Sequence, residues 1–386
     1  MDVYLDHAAS TTPRPVAREV FDRWFDPGGV TGNPSSTHRH GRALREAVEV
    51  AREQVAEALK ASPHEIVFTS GGTEADNLAV KGLYWAGRRE GRRQIVTTSV
   101  EHPAVLESAL WVAEHQGAEV TLVPPRSDGT VDPDQVLEAV TPETALVSVM
   151  TANNELGGIN DVATIGDALR HRGIPFHTDA VQAFATHELD LRHLPVDALA
   201  LSAHKFGGPV GVGVAYLRRG VPVVPLLHGG GQDRGVRSGT MAAALSAACG
   251  AAAEEATKER PALHDRLRSL SERLAEGLAA LDGVRRNGPF EPSRRLASHV
   301  HVSIDGVDGE ALTFALDQAG VCVSTGAACG AGANKASHVL AAAEVDGDAA
   351  VRCSLGWPST DEDVDRALAV FHQVVPRLRA GEQVLS

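Results

Sequence analysis

The sequence predicts an α/β protein, with a large domain built on a mostly parallel seven-stranded sheet flanked by helices and a smaller α+β domain beside it. Three observations lead there. Seven short apolar runs, around Ile66-Val67-Phe68, Ile95–Thr98, Val120–Val123, Ala145–Val149, Phe176, Leu199 and Val212–Tyr216, are separated by helical stretches. The runs are continuous rather than alternating, which is the pattern of strands buried on both faces and hence of a mostly parallel sheet. Finally, 386 residues at 43% hydrophobic are more than one ordinary core can use.

In chain order, Leu5-Asp6-His7-Ala8-Ala9 is a short strand that runs into small, turn-forming residues, and Gly32-Asn33-Pro34-Ser35-Ser36 is a loop. From His38 to Leu59, Leu44, Val48, Ala51, Val55 and Leu59 recur at spacings of three and four, predicting an amphipathic helix. The sheet follows. Its strands end on Thr69-Ser70-Gly71-Gly72-Thr73-Glu74, Ser99-Val100-Glu101-His102, Thr151-Ala152-Asn153-Asn154-Glu155, Asp179 and Ser202-Ala203-His204-Lys205. Ligands of open α/β sheets sit outside the carboxyl ends of the strands, so these are the places to look for chemistry. After Thr240 an alanine-rich helix begins, and a second helix is expected beyond Pro261. The domain boundary falls near 258, giving a large domain over 14–257 and a small one made of 1–13 and 258–386. In the latter, strands are expected at His299–Ile304, Gly320–Ser324 and Val351–Leu355, with helices at Gly309–Gln318 and Asp361–Leu378.

Lys205 closes an apolar run and opens onto Phe206-Gly207-Gly208-Pro209. A desolvated lysine has its pKa lowered enough to act as an amine nucleophile and form a Schiff base. Asp179, at the end of the preceding strand, is what pyridoxal 5'-phosphate (PLP) needs to keep its ring nitrogen protonated. At roughly 4 Å and an effective dielectric of about 20, carboxylate and pyridinium attract by about 4 kcal/mol before desolvation. The alternative for Lys205 is a buried strand end with a snorkelling side chain. Gly72 and Thr73 open a helix whose exposed amides suit a phosphate, though such entries also serve merely as caps. The His228–Gln232 glycine loop and Arg237-Ser238-Gly239-Thr240 add a cation and a hydroxyl suited to the same group. His102 can stack on an aromatic cofactor or be a satisfied core histidine.

Of the four cysteines, Cys249, Cys322 and Cys353 read as small core residues. Cys329 lies in Thr325-Gly326-Ala327-Ala328-Cys329-Gly330-Ala331-Gly332, a small-residue stretch unsuited to a core, where a thiol is a liability unless used. Arg352, in a strand suited to burial, needs an anionic partner, either a ligand carboxylate or an internal acid. With 36 basic and 50 acidic residues, a net charge of -14 argues against a nucleic-acid surface. There is no C-x-x-C pair, the 17 histidines are scattered, and no metal is assigned. No run reaches transmembrane length and no signal peptide is visible, so a cytoplasmic protein away from membranes is expected.

Taken together, these motifs resemble the cysteine desulfurases, PLP enzymes of fold type I in the class V aminotransferase group. The resemblance spans nearly the whole chain, from Tyr4-Leu5-Asp6-His7-Ala8-Ala9 to Ser324-Thr325-Gly326-Ala327-Ala328-Cys329. The final motif is similar to the nitrogen-fixation and iron-sulfur-cluster branch. The resemblance implies that Lys205 carries PLP, Asp179 faces the pyridine nitrogen, Gln182 bonds the phenolic oxygen and His102 stacks on the ring. It places Gly72, Thr73, Ser202 and His204 at the phosphate, with Thr240 arriving from the other subunit of a homodimer. Asn154, Arg352 and Asn33 are the implied substrate-carboxylate residues, and Cys329 takes sulfur from L-cysteine as a persulfide for an acceptor protein. Val210 and Trp357 depart from residues frequent in such relatives. A selenocysteine lyase of the same fold and a non-catalytic or redox-sensing module remain as alternatives.

Overall fold

The computed structural model describes residues 2–26, 29, 31–325, 337–346 and 349–381. From the amino end, β1 (Val3–Tyr4) is followed by α1 (Pro15–Asp22) and α2 (Arg39–Leu59). Then strand and helix alternate: β2 (Ile66–Thr69), α3 (Gly72–Arg89), β3 (Gln94–Thr98), α4 (Pro103–Gln116), β4 (Glu119–Val123), α5 (Pro133–Glu138) and β5 (Thr144–Ser148). The alternation continues through α6 (Val162–Arg172) and β6 (Phe176–Asp179) to the adjacent strands β7 (Ala198–Ser202) and β8 (Gly213–Leu217). After α7 (Ala243–Ala279) come β9 (Val284–Asn287), β10 (His299–Ile304), α8 (Gly309–Gln318), β11 (Val321–Cys322), α9 (His338–Ala342), β12 (Ala350–Ser354) and α10 (Asp361–Arg379).

Strands β2 to β8 form one sheet in the order β2-β8-β7-β6-β5-β3-β4. Only β8 runs against its neighbours, so the sheet is mostly parallel, as the unbroken apolar runs require. Every residue of β3, β5, β6 and β7 is buried, whereas β4, at the edge, is half exposed. The parallel strands therefore point their carboxyl ends the same way, and the turns that follow β2, β3, β5, β6 and β7 meet along one rim.

Helix α2 presents Leu44, Val48, Ala51 and Val55 to the alanine face of α7, where Ala248, Cys249, Ala252 and Ala256 are buried. Small residues let the two backbones approach closely. A Cβ added at Gly250 would lie 2.7 Å from the Ala51 Cα.

One expectation is corrected here. The helix does not restart beyond Pro261 but runs through it, 37 residues long. An interior proline removes the N–H that would bond the carbonyl four residues back and crowds that carbonyl with its ring, and burial on either side offsets the cost. The helix changes partners near this point: Ala256 belongs to the core beneath the large sheet, while Leu263, Leu267, Leu270 and Leu274 join a second core. That second core gathers Val3 and Leu5, the β10 and β12 side chains Val300, Val302, Val351 and Cys353, and Phe371 of α10. Three antiparallel strands, β12-β10-β9, and the parallel pair β1-β11 frame it. Val339, Leu340 and Ala343 pack on the large core instead. Among the described residues no helix is long and apolar enough to cross a membrane.

Phe371 is fully buried in the second core. Phe371→Ala is expected to cost about 3–5 kcal/mol of unfolding free energy, read as a lowered urea midpoint with native circular dichroism retained below it.

Candidate active site

The rim of parallel strand ends encloses a cavity of about 330 Å³. Its lining brings together Gly72, Thr73, His102, Asn154, Asp179, Gln182, Ser202, His204, Lys205 and Arg352, ten of the residues singled out in the sequence. Asn33 and Thr240 are not among them. The Asn33 side chain instead closes its own loop by accepting from the Ser35 N–H at 2.9 Å, and Thr240 is exposed. Cys329 lies outside the described residues.

Each wall follows from local structure. Lys205 ends a short turn after β7, and its Nζ donates to the carbonyls of Ala8 (2.6 Å) and Ala9 (2.8 Å). Gln182 Nε2 donates to the same Ala8 carbonyl at 2.9 Å. The opening segment of the chain is thus part of the cavity wall, tied down by an Ala8 N–H to Ser354 Oγ bond of 2.9 Å.

At one end, α3 begins with Gly71 at its N-cap, which supplies no side-chain acceptor for the first-turn amides. Those amides, the Thr73 and Ser202 hydroxyls and His204 converge as a cradle for an anion. Gly72 keeps this corner open: a Cβ there would sit 3.1 Å from Val181 Cγ2 and 3.3 Å from Ser202 Cβ, and both would have to give by a few tenths of an ångström. Arg237 does not join them. Its guanidinium is engaged by Glu74, Nε to Oε1 at 2.8 Å and Nη2 to Oε2 at 3.2 Å, so the cation expected for this cradle is used within the fold.

At the other end the chemistry is acidic. Asp179 leaves β6 into a buried position, where Oδ1 accepts from the Val181 N–H at 2.9 Å. Burial lifts its pKa above the usual carboxylate range, against the pull of His102, the Val181 N–H and Lys205. His102 is the N-cap of α4, its Nδ1 accepting from the Ala104 N–H at 3.1 Å, and burial favours the neutral ring. Asp76 and Glu101, which sequence reading passed over, stand behind. Ligand-type atoms of Asp76, His102 and Asp179 all lie within 4.8 Å of one another. Glu101 accepts from Thr98 Oγ1 (2.9 Å) and the Met150 N–H (2.8 Å), leaves Oε2 without a partner among the described residues, and is pushed by burial up to about 8. The sequence signal for Asp76 was its place one turn into α3, three residues after Thr73.

Arg352 enters from β12. Its Nη2 donates to Asp6 Oδ1 at 2.7 Å and its Nη1 to the Asn154 carbonyl at 2.9 Å, while Nε has no hydrogen-bond partner among the described residues. The two departures from the family pattern lie apart from this wall. Val210 is exposed, and Trp357 donates to the Thr12 carbonyl and packs under Arg14.

A cavity with a lysine amine on one wall, an uncapped helix start at one end and desolvated carboxyls at the other fits an aromatic cofactor bearing a phosphate and a cationic ring nitrogen. Asp179 in particular needs a positive partner to ionise comfortably in the interior.

The family model described as "Aminotransferase class-V" matches residues 3–367. An IscS-like cysteine desulfurase of Mycobacterium tuberculosis is 46% identical over 384 residues, 97% of each chain. A solved NifS-like protein superposes with a TM-score of 0.90 at 35% identity, covering 98% of this chain and 100% of its own. A structure described as SspA in complex with cysteine gives a TM-score of 0.80 at 33% identity, covering 92% of this chain and 99% of its own.

Glu101 supplies a pH test of the acidic wall. A folded-state pKa near 8, above the unfolded value, means that the native protein keeps a proton the unfolded chain has already lost. The resulting stability is complete below the ordinary carboxylate range and is lost as pH rises toward 8. Unfolding of the wild type is therefore expected to become easier relative to Glu101→Gln as pH is raised from about 5 to about 8. Parallel stability curves for the two proteins would show that Glu101 is ionised throughout.

Proposed function

The chain belongs to the aminotransferase class-V family and is a PLP-dependent cysteine desulfurase, and we propose that Lys205 anchors its cofactor while Cys329 takes the sulfur of L-cysteine. The observation that carries this reading is the convergence on one cavity of the Lys205 amine, the Asp179 carboxyl and the Arg352 guanidinium, delivered by three different strands.

Bound PLP supplies an electron sink that loosens bonds at the substrate's α-carbon. The residues supply the rest. Asp179 holds the proton of the ring nitrogen, His102 covers the ring, and Gln182 donates toward its phenolic oxygen. Gly72, Thr73, Ser202 and His204 hold the phosphate. Arg352 and Asn154 fix the substrate carboxylate, which competes with Asp6 for the guanidinium. Lys205 Nζ, standing on the cavity wall, would move the α-proton of the bound substrate. The Cys329 thiolate attacks the substrate sulfur: an S–S bond forms and the C–S bond breaks. The electron pair stays with the carbon that, once protonated, becomes the methyl of L-alanine. The persulfide on Cys329 is then passed to an acceptor protein.

Thr240 is exposed and off its own chain's cavity wall, which supports a homodimer in which Thr240 of the partner subunit completes the phosphate cradle. Asn33, also outside the wall, is a weaker contributor to carboxylate binding. The change of core along α7 supports a large unit over 14–257 and a smaller one made of 1–13 and 258–386, in a protein working in the cytoplasm.

Borohydride is expected to trap the cofactor on wild-type protein and not on Lys205→Ala, as read by mass spectrometry of the peptide that contains residue 205. Cys329→Ser should keep the bound chromophore and lose sulfide release from L-cysteine; retained turnover would favour the selenocysteine lyase reading. Arg352→Gln should raise KM for L-cysteine by about tenfold or more, since a charge-assisted hydrogen bond is lost. An unchanged KM would remove Arg352 from the substrate site.

A further inference from the structure

Behind Asp179 lies a second buried pair that the reaction as described does not use. Asp76 is 1% exposed and His177 is fully buried. Asp76 Oδ1 and His177 Nε2 lie 3.5 Å apart, and neither has a hydrogen-bond partner among the described residues. The other ring nitrogen of His177 is fixed by Ser148 Oγ at 2.9 Å. Two orphaned atoms facing each other in a dry interior are satisfied together by one proton between them.

We propose that Asp76 is a positioning residue that carries this proton, donating its carboxyl O–H to His177 Nε2, while His177 stays neutral and donates Nδ1–H to Ser148 Oγ. The inference rests on the cofactor reading above and deepens it. A neutral Asp76 leaves Asp179 as the single anion facing the ring nitrogen, although two aspartate carboxyls and His102 share the same few ångströms.

The groups around the pair agree with this assignment. Burial, and after it the neighbouring Asp179 carboxylate of β6, push Asp76 well above the carboxylate range. Burial drives His177 down to about 3, away from the imidazolium. His102 and Lys205 both bear on Asp179 rather than on Asp76. The opposite arrangement, an Asp76 carboxylate against a His177 imidazolium, would desolvate two charges at once.

The test is the infrared spectrum of the holoenzyme made with aspartate isotopically labelled at its side-chain carboxyl, which separates aspartic acids from the protonated Glu101. A labelled carboxylic-acid C=O band at neutral pH should be present in wild type and absent in Asp76→Asn. If the band is missing from wild type, or persists in Asp76→Asn, the proposal is wrong. Reconstitution of stripped protein gives an independent readout. Asparagine keeps a neutral donor, so cofactor affinity should fall less than about threefold, whereas Asp76→Leu, which has no donor, should lose about tenfold or more. Equal losses in the two variants would show that the negative charge, not the proton, is what matters. Failure of wild-type protein to bind PLP would sink the cofactor reading instead, and the part of the labelled acid band that stripped Asp76→Asn loses relative to stripped wild type would still report the proton on Asp76.

Discussion

A carboxylate in a protein interior must be given a positive partner or keep its proton, and the site is arranged around that constraint at Asp179. The residue leaves the end of β6 into a position closed to solvent, with two more buried carboxyls nearby and a neutral imidazole at its side. Only a parallel sheet could put it there. Its neighbour β7 ends on the same rim, so the Lys205 amine arrives from an adjacent strand without any long loop, and the glycines that open α3 reach the same rim from the end of β2.

The opposite end of the cavity works by omission. Gly71 leaves the start of α3 uncapped and Gly72 leaves room beside Ser202, so the first-turn amides remain for a ligand. The anion receptor and the acid cluster differ in sign, and a ligand that carries both a phosphate and a basic nitrogen is oriented by them. Arg352, reaching in from the second core, adds a third charged point, already engaged by Asp6 and the Asn154 carbonyl.

Much of this was legible in the sequence because it rests on local pattern. Buried strands announce themselves as unbroken apolar runs, and residues at their carboxyl ends become candidates by geometry alone, which is how Asp179, His102 and Lys205 were found together. Pro261 misled because propensity is local whereas the helix is held by two cores, one on each side of the proline. Arg237 looked like a phosphate ligand until its partner, Glu74, was seen 163 residues away in sequence. Asp76 and His177 were invisible for a related reason. Each is an ordinary residue within its own element, and only the packing of α3 against β6 reveals two orphaned atoms face to face.

Ala8 and Ala9 line the cavity, and Ala8 is pinned to Ser354 while Asp6 meets Arg352. Those partners are separated by 346 positions. On the ribosome the first of each pair emerges long before the second, so the large sheet can form while its pocket still lacks a side. Lys205 and Gln182 can hold Ala8 and Ala9 before that, but the anchors at Ser354 and Arg352 become available only once β12 has been made.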